Sequence, residues 1–95
     1  MAFVHKRPGV EKFLKDLDEH FETIVFTAAL PVYAKPVVET VDKSTNVRHT
    51  LCREATVTYK GQSFVKDLSI LGRDLSRVVL IDNNPLAMLA SPDNG

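Results

Sequence analysis

Four polar side chains stand where apolar runs of this sequence end, and together they suit phosphate chemistry. Thr27 closes Ile24-Val25-Phe26, Lys66 follows Phe64-Val65, and Asp82-Asn83 follows Val78-Val79-Leu80-Ile81. A hydroxyl and an ammonium can contact phosphate oxygens. The hard oxygens of a carboxylate and an amide suit Mg²⁺, which takes one or two protein ligands and keeps several waters. Each residue alone has a plainer role. A Thr at a strand end caps a turn, a lone Lys is solvated, and Asp-Asn before Asn84-Pro85 makes a turn and a helix cap. The chemical reading lives in the joint pattern.

Other reactive-looking sets are weaker. His49-x-x-Cys52 offers two ligands where a structural zinc needs four. Gly61-Gln62-Ser63 lacks the second glycine of a nucleophile elbow, and a hairpin turn explains it. Lys6-Arg7 is too short for a nucleic-acid patch. Twelve Lys and Arg balance twelve Asp and Glu, so no net positive field draws nucleic acid.

The elements that would position these residues are legible from periodicity. Val10, Phe13, Leu14, Leu17 and Phe21 share one face of a helix with Pro8 at its first position, and Glu11 stands four before Lys15. Thr23–Thr27 reads as a buried, parallel-type strand. Pro31 opens a second helix with Tyr33, Val37 and Val41 on one face, and Pro36 predicts a kink or break inside it. Residues 46–65 read as a small antiparallel insert with a turn at Lys60-Gly61. Residues 67–75 make a short helical turn and a loop around Gly72. Residues 77–82 read as a second buried strand. Asn84 caps a helix that starts at Pro85. Strands alternating with helices predict an α/β fold, in which ligands sit beyond the carboxyl ends of parallel strands.

Composition agrees with a folded chain. Of the 95 residues 44% are apolar and 25% charged, which excludes disorder on composition alone. The single cysteine, Cys52, rules out an internal disulfide framework and suits a reducing compartment. The apolar runs are too short to span a bilayer, and Met1–Pro8 has no apolar signal-peptide core. The expected setting is intracellular, nuclear or cytoplasmic.

Six segments, in order, carry a family resemblance: Val4-His5-Lys6-Arg7-Pro8, Ile24-Val25-Phe26-Thr27-Ala28, Phe64-Val65-Lys66-Asp67-Leu68-Ser69, Leu71-Gly72-Arg73-Asp74-Leu75, Val79-Leu80-Ile81-Asp82-Asn83 and Ser91-Pro92-Asp93-Asn94. The chain resembles the haloacid-dehalogenase superfamily. Within it, the chain is similar to the FCP/SCP-type phosphatases of the RNA polymerase II C-terminal domain and their Dullard-like, NLI-interacting-factor-like relatives. The resemblance implies a partial haloacid-dehalogenase-like, Rossmann-like parallel sheet with flanking helices. Residues 1–95 would form a single partial FCP-homology domain, truncated at both ends relative to the family.

The resemblance also implies roles. Thr27 would bind the phosphoryl oxygens, and Lys66 would neutralise charge on them. Asp82 and Asn83 would help hold Mg²⁺. Arg53 would contact the phosphopeptide, and Leu30 and Tyr33 would line the peptide groove. In the family an aspartate attacks the phosphoserine, forming an aspartyl phosphate, and a second acid two residues later protonates the leaving serine and then activates water. Here the chain departs from the pattern, because the Asp-x-Asp-x-Thr motif supplying both acids is absent. Asp16-Leu17-Asp18 imitates it but lies in the first amphipathic helix, without an apolar strand before it. Between Arg53 and Lys66 the hairpin is one residue longer than the family spacing.

Two functions follow as expectations. One is part of a Mg²⁺-dependent phosphoserine/threonine protein phosphatase, inactive alone, with a phosphorylated protein such as the RNA polymerase II C-terminal domain as partner. The other is a non-catalytic peptide-binding or regulatory module of the same lineage. Without the family's central strand, exposed sheet edges would favour oligomers.

Overall fold

The computed structural model describes residues 6–95; Val4 and His5 of the first family segment lie outside the described residues. Contacts group the chain into two compact units, Met1–Arg53 and Glu54–Gly95.

In the first unit, α1 spans Val10–His20. Gly9 precedes it at φ 84°, a left-handed conformation that glycine adopts without steric penalty, so the helix begins two residues after Pro8 rather than at it. Val10, Leu14 and Leu17 are half-buried, as their spacing predicts, but Phe13 and Phe21 are exposed. Glu11 pairs with Lys6 at 2.6 Å rather than with Lys15, and the i,i+4 pair is Lys12–Asp16 at 2.8 Å.

Strand β1 (Ile24–Phe26) is followed by α2 (Pro31–Val41) and then by β2 (His49–Leu51). The strands pair in parallel, Ile24 opposite His49 and Phe26 opposite Leu51. His49–Leu51 therefore belongs to a β–α–β arrangement, not to the antiparallel insert expected over 46–65. The β-branched and aromatic side chains of β1 suit a pleated surface, and a helical crossover of this length permits parallel pairing.

Helix α2 runs unbroken through Pro36, correcting the expected break there. Pro31, at the first position, costs the helix no hydrogen bond, whereas Pro36 removes the donor that the Val32 carbonyl would receive. The inward face is also rotated from the expected one. Ala34 is buried and Val38 and Val41 half-buried, while Tyr33 and Val37 face outward. Spacings of 34, 38 and 41 satisfy the helical period equally well, and the small Ala34 permits closer approach than Tyr33 would. After α2, the buried Asp42 accepts from the N–H groups of Asn46 at 3.0 Å and Val47 at 2.7 Å, turning the chain toward β2.

After a 3-10 turn at Arg53–Ala55, the second unit forms the antiparallel hairpin β3 (Val57–Tyr59) and β4 (Gln62–Val65). Lys60 and Gly61 both have positive φ, 50° and 80°, as a two-residue primed turn requires. Tyr59 faces Gln62 and Val57 faces Val65, so β4 carries one residue more than β3 between those pairs. The excess is a β-bulge, with Phe64 at φ 59°. Val65 is fully buried, with Leu68 and Ala87 forming the unit's apolar centre.

Beyond the hairpin the chain uses 3-10 turns, Leu68–Leu71, Leu75–Arg77, Pro85–Met88 and Pro92–Asn94. The first three are capped by Asp67, Asp74 and Asn84, each accepting from the N–H two residues on. Thus Asn84 and Pro85 take the expected capping positions, although the turn they open is a 3-10 turn. The expected strand over 77–82 does not form. Val78 is extended, but among the described residues no strand pairs with this stretch, and an extended segment without a ladder is not a strand. Val79 and Ile81 are 75% and 82% exposed rather than buried. Among the described residues no helix is long and apolar enough to cross a membrane. The described residues make a small α/β arrangement of two α-helices and two short two-stranded sheets.

Candidate functional site

The candidate residues fall into a group within each unit. In the first unit, Thr27 lies just past the end of β1. Its backbone N–H donates to Leu51 at 2.8 Å, continuing the parallel ladder. Its hydroxyl oxygen accepts from the Ala29 N–H at 3.1 Å, which leaves the hydroxyl proton for donation. Arg53 reaches back to the same loop, where its Nε donates to the Ala28 carbonyl at 2.7 Å and its backbone N–H to Ala29 at 2.9 Å. Leu30 immediately precedes α2 and Tyr33 lies in its first turn, both exposed. Thr27, Leu30, Tyr33 and Arg53 therefore gather around the loop joining β1 to α2, the carboxyl end of a parallel strand where α/β ligands bind.

In the second unit, Lys66 and Asp82 form an ion pair through Nζ and Oδ2, sixteen residues apart in sequence. Their side chains are only 11% and 12% exposed, so water screens the pair little. Lys66 is held by its neighbours: Val65 is buried before it, and its own N–H donates to the Ala87 carbonyl at 2.9 Å. Asp82 accepts a second bond at Oδ1 from the Asn84 N–H, 2.9 Å. Burial acts to raise the Asp82 pKa, but the Lys66 hydrogen bond, the Asn84 N–H and the Lys66 charge outweigh it. The net effect holds the carboxyl below the ordinary carboxylate value. Asn83 is exposed beside it.

The donor set fits Mg²⁺ chemically. Each Asp82 oxygen has a lone pair beyond the one already engaged, and Asn83 adds a neutral oxygen. That makes the one or two protein ligands Mg²⁺ accepts. Among the described residues no group of three His, Cys, Asp or Glu is placed to hold a metal. Cys52 is fully buried, and His49 faces Glu22 at 3.6 Å. The two acids of Asp16-Leu17-Asp18 in α1 are engaged elsewhere: Asp16 pairs with Lys12 at 2.8 Å and Asp18 with Arg48 at 2.7 Å.

One residue of this region carried no role in the sequence reading. Asn94 bonds to the stretch leading into Asp82. Its only signal was membership of the Ser91–Asn94 segment, because contacts of sixteen to nineteen residues' separation leave no periodic trace.

The first unit thus sets polar groups at the end of a parallel strand, and the second holds a sheltered lysine–carboxylate pair. Comparison with known proteins supplies the family. The model of the NLI interacting factor-like phosphatase family matches residues 1–95, and the chain belongs to that family. It is 49% identical to CTD small phosphatase-like protein 1 of Caenorhabditis elegans, over 98% of this chain and 19% of the relative. It is 48% identical to the human carboxy-terminal domain RNA polymerase II polypeptide A small phosphatase 1, over 98% of this chain and 35% of the relative. With Phosphatase Herzog of Drosophila melanogaster it shares 45% identity, over 98% of this chain and 26% of the relative. The chain thus spans about a fifth to a third of the length of these curated relatives.

Proposed function

We propose that residues 1–95 are part of a Mg²⁺-dependent phosphoserine/threonine protein phosphatase domain. Its substrate class is a phosphorylated protein segment, such as the polymerase C-terminal domain named in the human relative. The observation that carries this reading is the Lys66–Asp82 pair, sheltered from water and adjoining the Asp82-Asn83 oxygen donors.

Lys66 presents a positive charge in a weakly screened environment, where its attraction for phosphoryl oxygens exceeds that of a surface lysine. Asp82 keeps that ammonium oriented before substrate arrives. Thr27, whose oxygen already accepts from Ala29, donates its hydroxyl proton to a phosphoryl oxygen. Arg53, tethered at Ala28, offers its guanidinium to the phosphopeptide, and Leu30 and Tyr33 offer apolar surface to residues flanking the phosphoserine. Asp82 and Asn83 would hold Mg²⁺, whose chemistry is to neutralise charge on the phosphoryl oxygens. No Asp-x-Asp-x-Thr stands in residues 1–95, so the attacking aspartate comes from outside these residues and the chain alone is inactive.

The test is a phosphate-release assay with Mg²⁺ on a phosphoserine peptide, comparing this chain with a form extended upstream in its native gene. Activity of the extended form only, lost on Lys66→Ala, is the expected outcome. Turnover by the 95-residue chain itself would refute the inactivity. An inactive extended form that still binds the peptide would identify a non-catalytic binding module instead.

A further inference from the structure

Asn94 holds the stretch that leads into Asp82. Its side-chain Nδ2 donates to the carbonyls of Leu75 at 2.7 Å and Val78 at 2.8 Å. Its backbone carbonyl accepts from the Leu80 N–H at 2.7 Å. The grip therefore spans residues 75–80 and ends two residues before Asp82. It rests on a fixed base, because the Asn94 N–H donates to the carbonyl of the buried Ser91 at 3.1 Å.

The stretch needs such a grip. Extended backbone is ordinarily ordered by a neighbouring strand, and among the described residues none pairs with it. Side-chain packing holds it from one side only, since Val78 and Leu80 are half-buried while Val79 and Ile81 are exposed. Asp82 must nevertheless meet Lys66, which is fixed separately by β4 and by the Ala87 carbonyl.

We propose that Asn94 is a positioning residue for the Lys66–Asp82 pair, clamping the backbone that delivers the Asp82 carboxylate. Its functional meaning rests on reading that pair as the phosphoryl site; the clamp itself does not. A primary amide on a short stem places two N–H donors toward two carbonyls. In Asn94→Asp the same shape would turn an acceptor toward both carbonyls, and Asn94→Ala removes the donors outright.

The readout is lysine accessibility, by brief acylation of the 95-residue chain with an N-hydroxysuccinimide acetate and mass spectrometry. Lys66, sheltered and paired, should label slowly beside the exposed Lys12. In Asn94→Ala and Asn94→Asp, Lys66 labelling should rise on the order of tenfold, the factor that one to two lost hydrogen bonds represent. It should approach the rate in Asp82→Ala, with Lys12 and Lys60 unchanged. Unchanged Lys66 labelling in either folded variant overturns the proposal. So does a uniform rise at all lysines with loss of helical circular dichroism, which would make Asn94 a general stabiliser. In an active extended form, Asn94→Ala should lower kcat with KM little moved. If Lys66 is unmasked as expected but Lys66→Ala leaves dephosphorylation intact, the phosphatase reading fails and the clamp stands.

Discussion

Lys66 and Asp82 concentrate the electrostatics of the second unit in one bond. Taking Lys66 away leaves a sheltered carboxylate without its cation, which costs more than the pair itself contributes. Lys66→Ala should destabilise the chain by about 3 kcal/mol, the lower end of the range for breaking a buried pair. The Lys66→Met/Asp82→Leu double variant should recover most of that loss in urea unfolding, since no charge is then stranded. The same bond sets a pH response. The folded Asp82 pKa lies below its ordinary value of 3.8, so the unfolded chain binds the proton more readily. The contribution is therefore present above 3.8 and is lost as pH falls through the lower, folded value. Acid unfolding of Asp82→Asn should show a shallower dependence on pH in that window; an unaltered acid limb would mean that the pair carries no linkage.

At the scale of elements, two local irregularities carry measurable costs. Pro36 lies inside an unbroken α2 and is exposed, so nothing in its packing requires the ring. Pro36→Ala restores a donor to the Val32 carbonyl and should stabilise the chain by about 1–3 kcal/mol. A melting temperature that falls instead would show that the proline holds α2 in a shape its surroundings need. The bulge in β4 is the second case. Phe64 occupies a left-handed conformation that is unfavourable for a bulky side chain, and β4 has one residue in excess. Deleting Ser63 leaves Gln62 opposite Tyr59 and Val65 opposite Val57, with two steps on each strand. The deletion should therefore keep or raise the melting temperature, whereas deleting Thr58 from β3 should lower it.

For the whole molecule, exposed apolar surface is the dominant physical fact. Val79 and Ile81 stand out on a stretch that no strand pairs with among the described residues, and Phe21 and Val32 add to the apolar surface. Exposed apolar side chains on such a stretch favour association with other apolar surface. Sedimentation of the 95-residue chain should thus show self-association that grows with concentration. Val79→Thr with Ile81→Lys should reduce it without lowering the melting temperature, because neither side chain is packed. A concentration-independent monomer would contradict that expectation.

How much was legible depended on the range of the interactions involved. Local rules located α1, β1, the opening of α2 at Pro31, the Lys60-Gly61 turn and the Asn84 cap, because capping, turn chemistry and periodicity act within a few residues. They also placed Asp16 and Asp18 in α1, although Asp18 is half-buried rather than on a solvated face. The family of the chain was legible too, from six short segments in order, and the match over residues 1–95 agrees. Local rules failed where a distant partner decides. His49–Leu51 alternates as either kind of strand would, and only β1 makes it parallel. Residues 78–81 have a strand's composition, but among the described residues no neighbour completes the ladder. The inward face of α2 was set by fit against its surroundings, not by hydrophobicity, which Tyr33 and Ala34 would have ranked the other way. Thr27, Arg53, Lys66 and Asp82 were named by sequence. That Arg53 is tethered beside Thr27, that Asp82 meets Lys66, and that Asn94 grips the stretch between Leu75 and Leu80 are decisions of tertiary structure, since each joins residues too far apart for any local pattern to couple.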